Sequence, residues 1–292
     1  MAKILVTGAG GLLGADVSTY LRSKGHNIIG VVRQKDQVKQ NNICIDLSEP
    51  KLELTKKLHG IEGVIHTAAV VPNKVSNPNN EQNKIHTQTL DQNIASFCIQ
   101  EDIPVVYISS CGMYDLTSPL VKSETSPLVE VTPYHSAKIS GELLFSRNKK
   151  AIVARIPSPY GPNMSAETVL NIFFRKAVNN DEITIWGSGK REQDFIHVRD
   201  ISKFIERAIF SNEPGIYNVC SGKPISMIEL AQECVKVCGA GKIITNDADC
   251  QEENYYPYFS TEKAKNILSW SHEIAITQGI ESLLKTWKND HD

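Results

Sequence analysis

Long apolar runs are missing from this sequence of 292 residues. Its apolar stretches fall well short of the roughly 20 residues a helix needs to cross a bilayer, so no membrane partner is expected. Neither sign of charge is in excess: 31 Lys and Arg stand against 33 Asp and Glu, a formal charge of −2. A chain without a basic field has no general attraction for nucleic acid or an anionic membrane surface, which leaves small, locally held anions as charged partners. Cysteine is present but unorganised. The seven, at 44, 98, 111, 220, 234, 238 and 250, are odd in number, scattered, and without CxxC or His-paired spacing. Reduced thiols and no metal site are expected; Cys234 and Cys238 share a helical face, but two ligands do not make a zinc site, and they read as packing residues. The first residues, Met1-Ala2-Lys3-Ile4-Leu5-Val6, run into a glycine loop, unlike a signal peptide, and a cytoplasmic location is expected. Internal repeats and low-complexity tracts are also lacking.

What is present is an alternation of short β-rich runs and helical stretches. The run 3–7 ends in Gly8-Ala9-Gly10-Gly11-Leu12-Leu13-Gly14, after which 15–23 has helical character until Gly25. In that strand–turn–helix setting Gly8 permits the tight turn, Gly11 lets backbone approach a pyrophosphate, and Gly14 lets helix and strand pack; the helix start, with Leu12 and Leu13, turns N–H groups toward the anion. The next strand, 27–32, ends where an acid would accept hydrogen bonds from an adenosine ribose. The chain has Val32-Arg33-Gln34-Lys35 there. Arg33, with Lys35, would attract a ribose 2′-phosphate that an acid would repel, so NADP(H) is favoured and NAD(H) is the alternative.

A third strand, 43–47, places Asp46 and Leu47 at the adenine edge. A fourth, 63–69, ends in Ala68 and Ala69, small enough for the cofactor to pass closely, while His66 reads as a packing residue. A loop over the cleft at 72–80 precedes a helix through 83–100. In the fifth strand, 105–108, Ser109 and Ser110 follow at the carboxyl end, where ligands of open parallel sheets bind. The turn-rich segment 115–132 is expected to be mobile over the site. A helix opens after Pro133, and the sixth strand, 151–156, leads into Pro157-Ser158-Pro159-Tyr160-Gly161-Pro162. Beyond 162 the alternation fails. The fold class is therefore α/β: a Rossmann-type doubly wound parallel sheet over 1–162, to which 195–212 returns, with a smaller C-terminal α/β substrate-binding lobe over 163–292. Ser226 and Glu229 have capping-box spacing.

Tyr134 and Lys138 are four residues apart at the start of that helix and share a face. A neighbouring ammonium favours the phenolate and would lower a pKa normally near about 10, making the phenol a usable proton donor or acceptor. Ser110, at a strand end, is placed to hydrogen-bond a substrate oxygen.

The glycine pattern, Ser110 lying upstream of Tyr134-x-x-x-Lys138, Tyr160-Gly161-Pro162 and Asp194-Phe195-Ile196-His197-Val198-x-Asp200 together resemble the extended short-chain dehydrogenase/reductases. Among these the chain looks most like nucleotide-sugar epimerases, dehydratases and 4-ketoreductases. The resemblance implies that Tyr134 is the acid/base, that Lys138 binds the nicotinamide ribose and tunes Tyr134, and that Ser110 holds the substrate oxygen; Ser109 and Pro157 border the cofactor. It further implies a nucleotide-sugar substrate touching Ser110, Cys111, Tyr134, Ser158 and Arg191, and a homodimer formed through paired helices. Departures guide the choice. Cys111-Gly112 replaces the Asp-Glu of the dehydratases, Gln193 stands where many relatives have an Arg for the diphosphate, a role Arg191 can take, and Ser158 stands where many carry an Asn. The favoured activity is NADPH-dependent reduction of a nucleotide-linked 4-keto-6-deoxyhexose. The alternatives are an NAD-dependent nucleotide-hexose 4-epimerase, a reductase of a non-sugar ketone, and a non-catalytic dinucleotide sensor.

Overall fold

Seven parallel strands form the central sheet of the computed structural model, which describes residues 1–34, 42–48, 58–71, 80–164, 167–246 and 254–291. Lys35, positions 72–79 of the loop expected over the cleft and Cys250 lie outside these. The strands are β1 Lys3–Thr7, β2 Asn27–Val32, β3 Asn42–Cys44, β4 Gly63–His66, β5 Val105–Ser110, β6 Ala151–Ile156 and β7 Gly215–Asn218, in the spatial order β7-β6-β5-β4-β1-β2-β3. The order reverses at β1, whose neighbours are β2 and β4. Such a switch point opens a crevice at the carboxyl ends of the strands.

Helices cover both faces because successive strand residues point to opposite sides. Ile4 and Val6 of β1 join one cluster with Val17 and Leu21 of α1 (Leu12–Ser23) and Ile201, Phe204 and Ile205 of α5 (Val198–Ile209). Leu5, between them, joins the other with Leu90, Ile94 and Phe97 of α2 (Glu81–Gln100) and Phe145 of α3 (Pro133–Phe145). The carboxylate of Asp16 on α1 accepts from the Arg199 guanidinium at 2.9 and 3.0 Å and from the Ser202 hydroxyl at 2.7 Å, tying α1 to α5.

A further core gathers Leu170 and Phe174 of α4 (Val169–Val178), Ile183 and Ile185 of the strand Glu182–Trp186, Leu230 of α6 (Met227–Cys238) and Ile280 and Leu283 of α7 (Ile276–His291). Cys234 and Cys238 pack there. The capping box at Ser226 and Glu229 forms, with the Ser226 oxygen receiving the Glu229 N–H.

Three local expectations shift. β3 ends at Cys44 and β4 at His66, leaving Asp46, Leu47, Ala68 and Ala69 in the turns beyond the strand ends. β7 comes from chain expected in the C-terminal lobe, 163–292, but pairs with β6 in the main sheet. The segment 115–132 is pinned: the Lys122 ammonium donates to the carbonyls of Ser118 and Tyr256, both at 2.6 Å, and the Glu124 carboxylate accepts the Asn218 N–H at 2.9 Å. Among the described residues no helix is long and apolar enough to cross a membrane.

Candidate active site

A cavity of about 960 Å3 opens at the carboxyl ends of the strands and runs from the glycine loop to the strand Glu192–Gln193. At one end, Gly8 adopts a positive φ of 67°, and a Cβ there would stand 2.8 Å from Thr67 Oγ1; a Cβ on Gly14 would meet the Gly8 carbonyl oxygen. Only glycines let the loop, β4 and α1 approach this closely. α1 begins with no side-chain cap at Gly11 and no acid in its first turn, so among the described residues no capping side chain competes with an anion for its N–H groups. A bare helix start walled by glycines, with Leu12 and Leu13 lining it, fits a dinucleotide pyrophosphate.

Arg33, Asp46 and Leu47 line the next part of the wall, with Ala68 and Ala69 opposite. β2 ends without a carboxylate, and Arg33 is exposed to the cavity rim. Asp46 accepts the Ser48 N–H at 2.9 Å and the Ser48 hydroxyl at 2.7 Å, bonds that hold its carboxyl below the usual range.

Ser110 ends β5, and its Oγ accepts the Gly112 N–H at 3.1 Å. α3 starts at Pro133 under the cap of Thr132, whose hydroxyl accepts the His135 N–H at 3.3 Å, so Tyr134 and Lys138 project from its first turns into the cavity beside Ser110. Lys138 is buried; its ammonium donates to the Ile108 carbonyl at 2.8 Å and lies 4.7 Å from the Tyr107 ring centroid and 6.0 Å from that of Tyr134. Burial pushes the Tyr134 phenol up to about 12, the carboxylate of Asp91 adding to the effect, and burial lowers Lys138. This reverses the expected lowering of Tyr134. The ammonium is engaged with a strand carbonyl, and the dry surroundings of the phenol outweigh it.

Beneath this group, His66 is fully buried, with Nδ1 2.7 Å from Thr7 Oγ1 and Nε2 2.9 Å from Asp91, which also accepts the Tyr107 hydroxyl at 2.8 Å. α3 is anchored one turn past Lys138. Glu142 accepts Arg155 Nε at 2.9 Å, Arg155 Nη2 at 2.6 Å and the Ser109 hydroxyl at 2.7 Å, while Arg155 Nη1 donates to Tyr114 at 2.7 Å. The Ser109 hydroxyl is thus committed to Glu142, although the residue lines the cavity.

At the far end stand Pro157, Ser158, Arg191 and Gln193. The Gln193 amide donates to the Ser158 hydroxyl, and the Arg191 guanidinium lies 4.8 Å from the Tyr255 ring centroid. Next to Gln193, the buried Asp194 accepts the N–H groups of Ser221 and Gly222 at 3.1 and 2.9 Å, and burial raises its carboxyl to about 6. Cys111 is the one candidate not brought to this wall. It is turned into a buried cluster with Tyr114, Phe259 and Cys220, its Sγ 3.4 Å from Cys220 Sγ, because the chain winds into a 3-10 turn over Cys111–Met113 immediately after β5. Sequence reasoning missed Thr67, His86, Met164, Thr168, Leu170 and Phe195, which also line the cavity. Phe195 stands in the Asp194–Asp200 motif; the others carry no local signal. Among the described residues no group of three or more His, Cys, Asp or Glu is placed to hold a metal.

The chain is similar to a putative UDP-glucose 4-epimerase of Methanocaldococcus jannaschii, 27% identical, the match covering 99% of each chain. It superposes with a TM-score of 0.87 on the UDP-N-acetylglucosamine 4-epimerase of Bacillus cereus, 22% identical over 99% of this chain and 97% of that one. The TM-score is 0.84 on the UDP-glucuronic acid 4-epimerase of Bacillus cereus in complex with UDP-glucuronic acid and NAD, 21% identical over 98% of this chain and 99% of that one. The model of the NAD dependent epimerase/dehydratase family matches residues 4–220, and the chain belongs to that family.

Proposed function

We propose that the chain moves a hydride and a proton at one carbon of a nucleotide-linked hexose, and that it runs as an NADPH-dependent reductase of a 4-keto sugar. The observation that carries this reading is the convergence of Ser110, Tyr134 and Lys138 on one cavity that starts at the glycine loop. When bound, the dinucleotide supplies the hydride from its nicotinamide ring. Gly8, Gly11, Gly14 and the start of α1 would hold its pyrophosphate, and Arg33 its 2′-phosphate. Lys138 would hold the nicotinamide ribose. Ser110 holds the substrate oxygen, and Tyr134 gives that oxygen its proton as the carbonyl is reduced. A phenol kept neutral by burial is loaded for this direction; a reaction that begins by oxidising an alcohol needs the phenolate instead. Cys111 is turned away and Gly112 has no side chain, so this part of the wall offers no carboxylate for eliminating water. The core around Leu170, Ile183 and Leu230 would close the sugar and nucleotide end, where Ser158, Arg191 and Gln193 stand.

The second reading, an NAD-dependent 4-epimerase, is favoured by a relative of that description matched over 99% of each chain and by a similar fold holding NAD. The two readings separate in one experiment. The purified protein is analysed for retained dinucleotide and then given NADPH with dTDP-4-keto-6-deoxyglucose, or NAD with UDP-glucose. The reductase reading expects little retained cofactor and consumption of NADPH. Tightly held NAD with formation of a C4 epimer sinks it in favour of the second.

Ile85 and Ile99 on α2 and Leu143 on α3 are exposed apolar residues on helices packed side by side, and we propose that they face a second copy of the chain. Sedimentation of the wild type against Leu143→Glu tests this; identical monomeric profiles contradict it.

A further inference from the structure

The basic residues among the described lining of the cavity are Arg33, His86, Lys138 and Arg191. Arg33 and His86 stand near Asp46, whose carboxylate both stabilise, and Lys138 stands beside Tyr134. Arg191 is left at the far end with Ser158, Gln193 and Phe195. The neighbouring acid is no part of this wall. Successive strand residues point to opposite sides, and the Glu192 carboxylate turns away to accept the Tyr258 hydroxyl at 2.7 Å. A guanidinium on a wall with no described acid beside it suits an anion, and a nucleotide-linked sugar brings a diphosphate.

The second observation concerns what holds this guanidinium. The Arg191 carbonyl accepts the Met227 N–H at 3.0 Å, and the two residues after it pair with Ile225 and Ser226, so its backbone is fixed. Tyr255 is not among the lining residues, yet its surroundings are fixed as well. The Tyr256 N–H donates to the Leu116 carbonyl and the Lys122 N–H to the Tyr258 carbonyl, both at 2.8 Å, and the Lys122 ammonium reaches the Tyr256 carbonyl at 2.6 Å. Between these two supports the Arg191 guanidinium lies 4.8 Å from the Tyr255 ring centroid, with Nη1 3.9 Å from Met227 Sδ. Stacking engages the face of a guanidinium, whereas its hydrogen bonds lie in its plane. The ring can therefore hold the group while leaving the fork geometry that a phosphate requires.

We propose that Tyr255 is a positioning residue: its ring holds the Arg191 guanidinium at the cavity wall, ready for the diphosphate of a nucleotide sugar. The inference rests on the reading that the substrate is nucleotide-linked. It adds the residue that sets affinity for the nucleotide half from outside the wall. A free arginine side chain loses rotamer freedom when it grips a ligand, and fixing it beforehand removes that cost from binding. The effect therefore falls on substrate affinity and not on the proton and hydride step at Ser110 and Tyr134.

The test uses the full chain with Tyr255→Leu and Tyr255→Gln, which remove the ring, Tyr255→Phe, which keeps it, Arg191→Ala, and the double Tyr255→Leu/Arg191→Ala. Two ring-removing variants are made so that one folded variant suffices, as melting temperature shows. Calorimetric affinity is read for dTDP, UDP, GDP and CDP. Separate kcat and KM values come from dTDP-4-keto-6-deoxyglucose with NADPH and UDP-glucose with NAD, and NADPH affinity is measured alongside. Removing the ring is expected to weaken the bound nucleoside diphosphate about fivefold to tenfold and to raise KM alike, with kcat and NADPH affinity within about twofold of wild type. Tyr255→Phe stays within about twofold. Arg191→Ala loses about tenfold or more, and the double variant is no worse than Arg191→Ala. If the ring-removing variants stay within twofold while Arg191→Ala loses tenfold, the positioning role fails and the functional reading stands. Losses that add in the double variant, an equal loss in Tyr255→Phe, or an effect confined to kcat refute it as well. Unchanged affinity in Arg191→Ala removes the group that Tyr255 is said to hold and sinks the inference, leaving the roles of Ser110, Tyr134 and Lys138 untouched. If the wild type binds none of the four diphosphates, the functional reading falls and this inference with it.

Discussion

Replacing Glu142 by Ala tests whether the helix carrying Tyr134 and Lys138 is held by a buried charge. Glu142 and Arg155 are both almost fully buried, with side-chain exposures of 7% and 3%, and they meet through two parallel hydrogen bonds. Removing the carboxylate leaves a guanidinium in the interior with only the Tyr114 hydroxyl and the Glu124 carbonyl, and it leaves the Ser109 hydroxyl with only the Met113 sulfur at 4.0 Å. Breaking a buried pair on one side costs about 3–5 kcal/mol. With an unfolding entropy of about 2.1 cal/mol/K per residue, a chain of this size loses about 5–8 °C of melting temperature. Differential scanning calorimetry at low and high salt measures it, and the loss should be nearly the same at both, since a buried pair is little screened. The double change Glu142→Leu with Arg155→Met, apolar residues of similar volume, should recover most of the loss. A shift below about 1 °C for Glu142→Ala, against the one-sided cost, would show that Arg155 finds another partner and that the pair does not anchor α3.

Two further outcomes follow from the cavity. Arg33→Ala should weaken NADPH about tenfold or more while leaving NADH nearly unchanged, as expected for loss of a charge-assisted phosphate contact; equal losses in a fluorescence titration mean that Arg33 does not touch the 2′-phosphate. Because burial raises the Tyr134 phenol to about 12, above its ordinary value, the folded state favours the neutral form. The proton donor therefore stays loaded through neutral and alkaline pH, and kcat/KM for reduction should decline only as the pH approaches about 12, where the folded phenol titrates. A decline centred near pH 7 would mean that Lys138 governs the phenol after all.

Much of the binding wall was legible because its chemistry is local. Gly8, Gly11 and Gly14 announce a strand–turn–helix within seven residues, and Tyr134 with Lys138 needs only helical spacing and a proline to open the helix. What escaped the sequence depends on partners far along the chain. Four residues, Gly215–Asn218, carry no sign that they will pair with β6. Lys122 and Glu124 look like ordinary turn charges until Tyr256 and Asn218 arrive to bind them. The direction of Cys111 is set by a single 3-10 turn, and the protonation of Tyr134 by burial against α2 and β5, neither of which a local pattern encodes.

Tyr134→Phe shows whether Tyr134 moves the proton while the rest of the site holds cofactor and sugar. NADPH affinity is measured by titration, and turnover by loss of reduced nicotinamide absorbance with a 4-keto nucleotide sugar. NADPH affinity should stay within about twofold of wild type and turnover should fall by about 10²–10⁴, the usual worth of a positioned general acid. Near-normal turnover with intact binding would contradict that role of Tyr134.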